Sequence, residues 1–186
     1  MSLTPSNMLP LGTEAPDFEL WDTVSNSLIT LNKLKGSQGT LILFICNHCP
    51  FVIHINEALV SIANTLKDKG IGVVAISSND VENYPQDGPE QMQIHAKNTN
   101  YPFPYLYDET QSVAKAYDAA CTPDFFLFDS DLKLQYRGQL DDSRPGNGLA
   151  VDGADLLHAV HCMIENIANI RPQKPSIGCN IKWKTS

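Results

Sequence analysis

The stretch "GTLILFICNHCP", residues 39–50, decides the fold. Residues 39–46 form a continuous apolar, β-favouring run bounded by Gly39 and a cysteine pair, the pattern of a central strand buried on both faces. After Pro50 the period changes. Val52, Ile55, Leu59, Ile62, Ala63 and Leu66 fall at helical spacing, Pro50 suits a first helical turn, and Gly70 closes the segment. "IGVVAIS" (71–77) then reads as a second buried strand, so 39–77 is expected to be a strand, helix, strand unit with a right-handed crossover. Cys46 and Cys49 therefore stand where a buried strand hands over to a helix.

Outward from this unit, "DFEL" (17–20) and "SLITL" (27–31) read as an N-terminal β-hairpin. Downstream, "NDVENYPQDGP" (79–89) is a long polar connection, followed by a helix over 90–98, a short strand at 104–108 and a helix near 110–118. A second hairpin joins 124–129 to 134–138 through Ser130–Asp131, and a last helix is expected over about 153–169. Strands alternate with helices and end in a hairpin, which predicts an α/β fold with a central mixed sheet flanked by helices. At 186 residues and 42% hydrophobic content the chain suits one domain, 1–186, with 1–13 as a loose lead-in and 170–186 as an extended tail.

Composition narrows the function. The 13 basic and 21 acidic side chains give a net charge of −8 with no basic cluster, which argues against a nucleic-acid partner. No stretch approaches the roughly 18 apolar residues of a membrane span, and Met1–Pro10 lacks the pattern of a signal peptide, so the cytosol is the expected compartment. Five cysteines (Cys46, Cys49, Cys121, Cys162, Cys179) are an odd number, and in a reducing compartment that argues against a framework of structural disulfides.

The pair at 46 and 49 carries the chemistry. A helix N-terminus offers unsatisfied N–H groups and the positive end of the dipole, both of which favour a thiolate, the nucleophile of disulfide exchange. The two-residue spacing puts a second thiol within reach to resolve a mixed disulfide. His48, protonated, would stabilise the thiolate and shift the couple toward the oxidising side of thioredoxin's potential of about −270 mV. A chemically idle core pair and half a zinc site remain as other readings, although no second cysteine pair at short spacing completes a zinc site. Thr122–Pro123, just before the strand at 124–129, suits either a loop proline or a cis-proline forming the wall of a substrate groove.

With these elements assembled, the chain resembles the thioredoxin-like superfamily and, more narrowly, its peroxiredoxin-like AhpC/TSA-type members. The resemblance is carried by "CNHCP" (46–50) together with "GTEAPDFEL" (12–20), "SSNDVENYPQDGPEQM" (77–92), "CTPDFFLFD" (121–129), "YRGQLDDSRPGNG" (136–148) and "PSIGCNIKW" (175–183). It implies a thioredoxin fold with Cys46 as attacking thiol, Cys49 as resolving thiol and Pro123 as the cis-proline beside them. Some positions depart from the pattern. Ile45 stands where many thioredoxins have tryptophan. The proline and threonine of the peroxiredoxin signature would fall on Ile42 and Cys46 if Cys49 were the peroxidatic cysteine, and neither matches. Thr122 occupies roughly the place of the peroxide-holding arginine, for which Arg137 and Arg144 are the candidate substitutes.

Cys121, next to Thr122–Pro123, is a candidate electron relay, and Cys179 in the tail is a candidate resolving thiol, unless the tail only packs Ile177, Ile181 and Trp183 onto the core. A Cys121–Cys179 pairing is open. Cys162 with His158 and His161 spaces like a metal half-site, but its apolar neighbours favour an amphipathic helix; His54 and His95 stand on helix faces. The expectation is a cytosolic thiol-disulfide oxidoreductase acting on a protein or small-molecule disulfide, recharged by an external thiol reductant and requiring no metal or organic cofactor. The alternatives are a peroxiredoxin-like thiol peroxidase acting on peroxide, and a non-catalytic zinc- or partner-binding module.

Overall fold

In the computed structural model, which describes residues 3–185, the chain begins with β1 (Leu3–Pro5), β2 (Glu19–Asp22), β3 (Ser27–Thr30) and the short α1 (Leu31–Leu34). The strand–helix–strand unit follows as β4 (Gly39–Phe44), α2 (Pro50–Asp68) and β5 (Ile71–Ser77). Next come α3 (Pro89–Thr99), β6 (Tyr105–Tyr107), α4 (Ser112–Ala116), β7 (Cys121–Thr122), β8 (Asp124–Asp129) and β9 (Leu134–Gly138). The last elements are α5 (Ala154–Ile164) and β10 (Ile177–Asn180).

Seven strands form one mixed sheet in the order β3-β2-β6-β5-β4-β8-β9. β4, β5 and β6 run parallel, and the two hairpins close the sheet antiparallel at either edge. The apolar run from Leu41 to Ile45 is explained by what lies on each side of it. Leu41, Leu43 and Ile45 face a core made with α2, α3 and α5, whereas Ile42 and Phe44 face a second core with Leu31, Val113, Ala114, Tyr117 and Phe126. A strand coated on both faces has no polar positions to spare. Each fully buried aliphatic chain contributes roughly 1.5–3 kcal/mol, so the run anchors the sheet. α2 behaves as its spacing predicts, with Pro50 in the first turn, Val52, Ile55, Leu59, Ile62, Ala63 and Leu66 buried, and Gly70 at φ +77° beyond its end.

The terminal segments differ from expectation. The lead-in is not loose: Leu3–Pro5 pairs antiparallel with β10, and β10 pairs with β7, giving a separate three-stranded sheet β1-β10-β7. The tail is therefore structured, and of its three apolar candidates only Ile181 is buried; Ile177 and Trp183 stay substantially exposed. α5 stops at Ile164 rather than 169 because Asn166 takes a left-handed backbone at φ 53°, and α4 is shortened between left-handed Gln111 and Asp118.

Arg137, a candidate peroxide-holding arginine, is fully buried on the face of the sheet away from the cysteine pair. It stacks 4.3 Å over Phe126, donates to Asp118 O at 2.6 Å and pairs with Asp124 at 3.2 Å. Burial pushes the Asp124 carboxyl up to about 7 against the pull of that guanidinium. With its cation engaged in the core, Arg137 cannot serve a peroxide at the cysteines.

Candidate active site

β4 and the turn after it deliver Cys46, and Cys49 is the N-cap of α2, so both thiols sit at the strand-to-helix junction. Both are buried. The opposite wall is the loop at β7, where the Thr122–Pro123 peptide is cis. Thr122 touches both sulfurs: its hydroxyl lies 3.5 Å from Cys46 Sγ, and its carbonyl accepts a hydrogen bond from Cys49 Sγ at 3.1 Å. Cys179 is the cross-strand partner of Thr122 in the β10–β7 ladder and hydrogen-bonds Cys49. Three thiols thus gather around one threonine, and no disulfide joins the cysteines.

The two thiols of the pair share a hydrogen bond and do not titrate independently. Cys49 is lowered well below the ordinary thiol range, first by the bond from Cys46, against the opposing effect of burial, and then by Cys179 and Thr122. Cys46 is raised, first by that same bond, then by burial and by the Asp87 charge. The physical content is one easily lost proton and one tightly held proton, shared by the pair at the first turn of α2.

Residues far along the chain build the rest of the site. Asp87, fully buried in the 3₁₀ turn Pro85–Asp87, accepts hydrogen bonds from the Asn47 amide (2.9 Å) and the Asn79 side chain (2.9 Å), and its Oδ2 lies 2.6 Å from His48 Nδ1. The His48 ring stacks on Tyr84 with centroids 5.6 Å apart, and Tyr105 donates to Asn47 Oδ1. Asp87 was hidden from sequence reasoning, where 79–89 read only as a polar connection. The signal available was an Asp–Gly–Pro turn inside an unusually long loop. Its carboxylate opposes at Cys46 the stabilisation that a protonated His48 would supply. Asp87→Asn keeps an acceptor for His48 while deleting the charge, so the Cys46–Cys49 couple is expected to become more oxidising by about 30 mV, equivalent to about 1.4 kcal/mol. Equilibration against glutathione measures this, and an unchanged or lower potential contradicts the charge argument.

The ligand-bearing atoms of Cys46, His48 and Asp87 lie within 4.8 Å of one another, a set of metal-ligand types that spacing alone did not reveal. Both oxygens of Asp87 already accept protein hydrogen bonds, so a cation would have to displace them.

The other candidates fall outside this cluster. Cys121 Sγ turns to the carbonyls of Pro123 (3.6 Å) and Ser176 (4.0 Å), and burial followed by the nearby Asp124 raises its pKa. Because Cys179 opposes Thr122 and Asn180 opposes Cys121, side-chain alternation sets Cys121 and Cys179 on opposite faces of the ladder. Cys162 contacts His158 within α5 at 3.5 Å, with His161 exposed. Arg144 bonds Asp141 O, Ser143 O and Gln139 Oε1, and lines a small pocket beyond Pro123 with Phe51 and His54, whose Nε2 is 2.7 Å from Ser143 Oγ. His95 meets Tyr101 OH at 3.2 Å.

Comparison with known proteins places this geometry. The sequence profile of the AhpC/TSA family matches residues 11–137. The chain belongs to the AhpC/TSA family. Among solved structures, this AhpC/TSA protein is similar to an uncharacterized conserved protein from Geobacillus kaustophilus, with 55% identity and a TM-score of 0.97 over 100% of this chain and 98% of that one. More distantly it resembles the thioredoxin domain of a thiol-disulfide oxidoreductase from Bacteroides vulgatus, with 20% identity and a TM-score of 0.59 over 70% of this chain and 89% of that one. Peroxidoxin BcpB from Mycobacterium tuberculosis gives 19% identity and a TM-score of 0.61 over 87% and 100% of the two chains. At such identities the last two likenesses are of fold, and the fold of this AhpC/TSA protein is thioredoxin-like. A comparison with curated proteins gives no match. Among the described residues no helix is long and apolar enough to cross a membrane.

Proposed function

We propose that this AhpC/TSA protein is a cytosolic thiol-disulfide oxidoreductase in which Cys46 attacks a substrate disulfide and Cys49 resolves it. The observation that supports the reading is the placement of both thiols at the strand-to-helix junction against the cis-proline loop, where Thr122 reaches each sulfur. Cys49 is held by the Thr122 carbonyl and Cys179, and the attacking role is given to Cys46, at the end of the strand segment beside the Thr122 hydroxyl. As the substrate arrives, the Cys46 proton passes to Cys49 along their bond. The Cys46 thiolate then attacks one substrate sulfur, the substrate S–S bond breaks, and the departing thiolate takes the proton from Cys49. The restored Cys49 thiolate attacks Cys46 Sγ, expels the second substrate sulfur as a thiolate that takes its proton from water, and leaves a Cys46–Cys49 disulfide. An external thiol reductant returns the two electrons.

Two assays on the reduced wild-type protein test the reading. It is expected to turn over insulin disulfides with dithiothreitol as electron source, and to react with hydrogen peroxide at the rate of an ordinary thiol in stopped-flow emission from Trp21 and Trp183. No insulin turnover combined with a peroxide rate orders of magnitude above a free thiol would replace the reading with a thiol peroxidase. Stoichiometric zinc in the purified protein, without turnover, would instead favour a binding module.

A further inference from the structure

The pair accounts for two of the three thiols around Thr122; Cys179 has no part in the exchange just described. Its placement is built rather than incidental. β10 is held between β1 and β7, Ser176 N–H bonds Ser6 Oγ at 2.8 Å, and Lys182 N–H bonds Asn79 Oδ1 at 2.9 Å. Gly178 lets the strand press against the cis-proline loop, since a Cβ there would lie 2.0 Å from Thr122 O. The result is a thiol that is 3% exposed and hydrogen-bonded to Cys49. Like the pair itself it is enclosed by protein, and the sulfur it is bonded to is Cys49.

We infer that Cys49 is the shared sulfur of two alternative disulfides, Cys46–Cys49 and Cys49–Cys179, interconverted by intramolecular exchange. The inference rests on the oxidoreductase reading, which supplies the first disulfide. Cys179 thiolate attacks Cys49 Sγ; the Cys49–Cys179 bond forms as the Cys46–Cys49 bond breaks. Cys46 leaves with the electron pair and takes up the proton that Cys179 released. No external oxidant enters, and oxidation state is conserved.

The electrostatics time the step. In the dithiol state Cys179 is held up in pKa, first by burial and then by its bond to, and the charge of, Cys49, while Lys182 pulls the other way. It is then a hydrogen-bond donor to the Cys49 thiolate rather than a nucleophile. Oxidation of Cys49 removes both the bond and the charge, so burial alone still holds the Cys179 proton against the pull of Lys182, and the thiol ionises more readily once the pair is a disulfide. The oxidising equivalent moves toward β10, and Cys46 is again a thiol.

Disulfide mapping tests this. Full-length wild-type protein and Cys179→Ser are oxidised with oxidised glutathione, remaining thiols are blocked in acid, and linkages are identified by mass spectrometry. The wild type is expected to contain both the Cys46–Cys49 and the Cys49–Cys179 linkages, and Cys179→Ser the first alone. Wild-type protein with the Cys46–Cys49 linkage alone, or with Cys179 linked elsewhere, overturns the inference. The wild-type map needs no substitution, so misfolding of a variant does not mask the answer. Failure of the parent reading is separate: it is seen as absence of insulin turnover by wild type, whatever the map shows.

Discussion

Cys46→Ser is expected to lower insulin turnover on the order of 10³-fold or more, the scale of removing a nucleophile, and Cys49→Ser to stall as a covalent adduct on Cys46. The asymmetry follows from the site. With serine at 46 the attacking sulfur is gone, and Cys49 is engaged by Thr122 O and Cys179. With serine at 49, Cys46 loses the bond that holds its proton but keeps the Thr122 hydroxyl beside it at 3.5 Å. Attack proceeds and resolution does not. A non-reducing gel with a labelled disulfide peptide measures the adduct. Equal trapping by both variants, or trapping by Cys46→Ser alone, would reverse the proposed roles. Cys49→Ser also reports on the ionised sulfur, because ultraviolet thiolate absorbance of the reduced wild type at mildly acidic pH should vanish in it.

Gly178→Val is expected to destabilise the protein by about 3 kcal/mol or more and to impair turnover together with it. The argument is steric. The added Cβ would meet Thr122 O at 2.0 Å and Thr122 C at 2.7 Å, both backbone atoms, so relief requires β10 and the cis-proline loop to move apart. That loop carries the carbonyl holding Cys49 and the hydroxyl beside Cys46, so a displaced β10 disorganises the pair itself. Chemical denaturation gives the stability and the insulin assay the activity. A variant of wild-type stability and rate would show that the tail can be spaced away from the site without consequence.

How far the sequence could be read follows the range of the forces involved. β4, α2 and β5 announce themselves because an apolar run coated on both faces and a 3.6-residue period are local patterns that persist over many residues. β1, β7 and β10 are two to four residues each and leave no such period. Leu3 becomes a strand residue only because Cys179 lies opposite it, a partner chosen by the closed fold. The helix expected to run to 169 ends at Ile164 because Asn166 adopts a left-handed backbone, which asparagine tolerates but does not require. Arg137 looked available for an anion when read alone, and its place over Phe126, against Asp124, depends on the register of β8 and β9.

The sequence by itself determined that two thiols stand at the junction of a buried strand and a helix, with a Thr–Pro pair later in the chain, because strand, cap and helix are coded within a few residues of one another. Only the tertiary structure decided what those thiols can do. Asp87, Thr122 and Cys179 converge on the pair from other segments and bias how it holds its protons. Hydrogen bonds and buried charges act over a few ångströms of space without regard to separation along the chain, so their sum is not written in any one stretch of it.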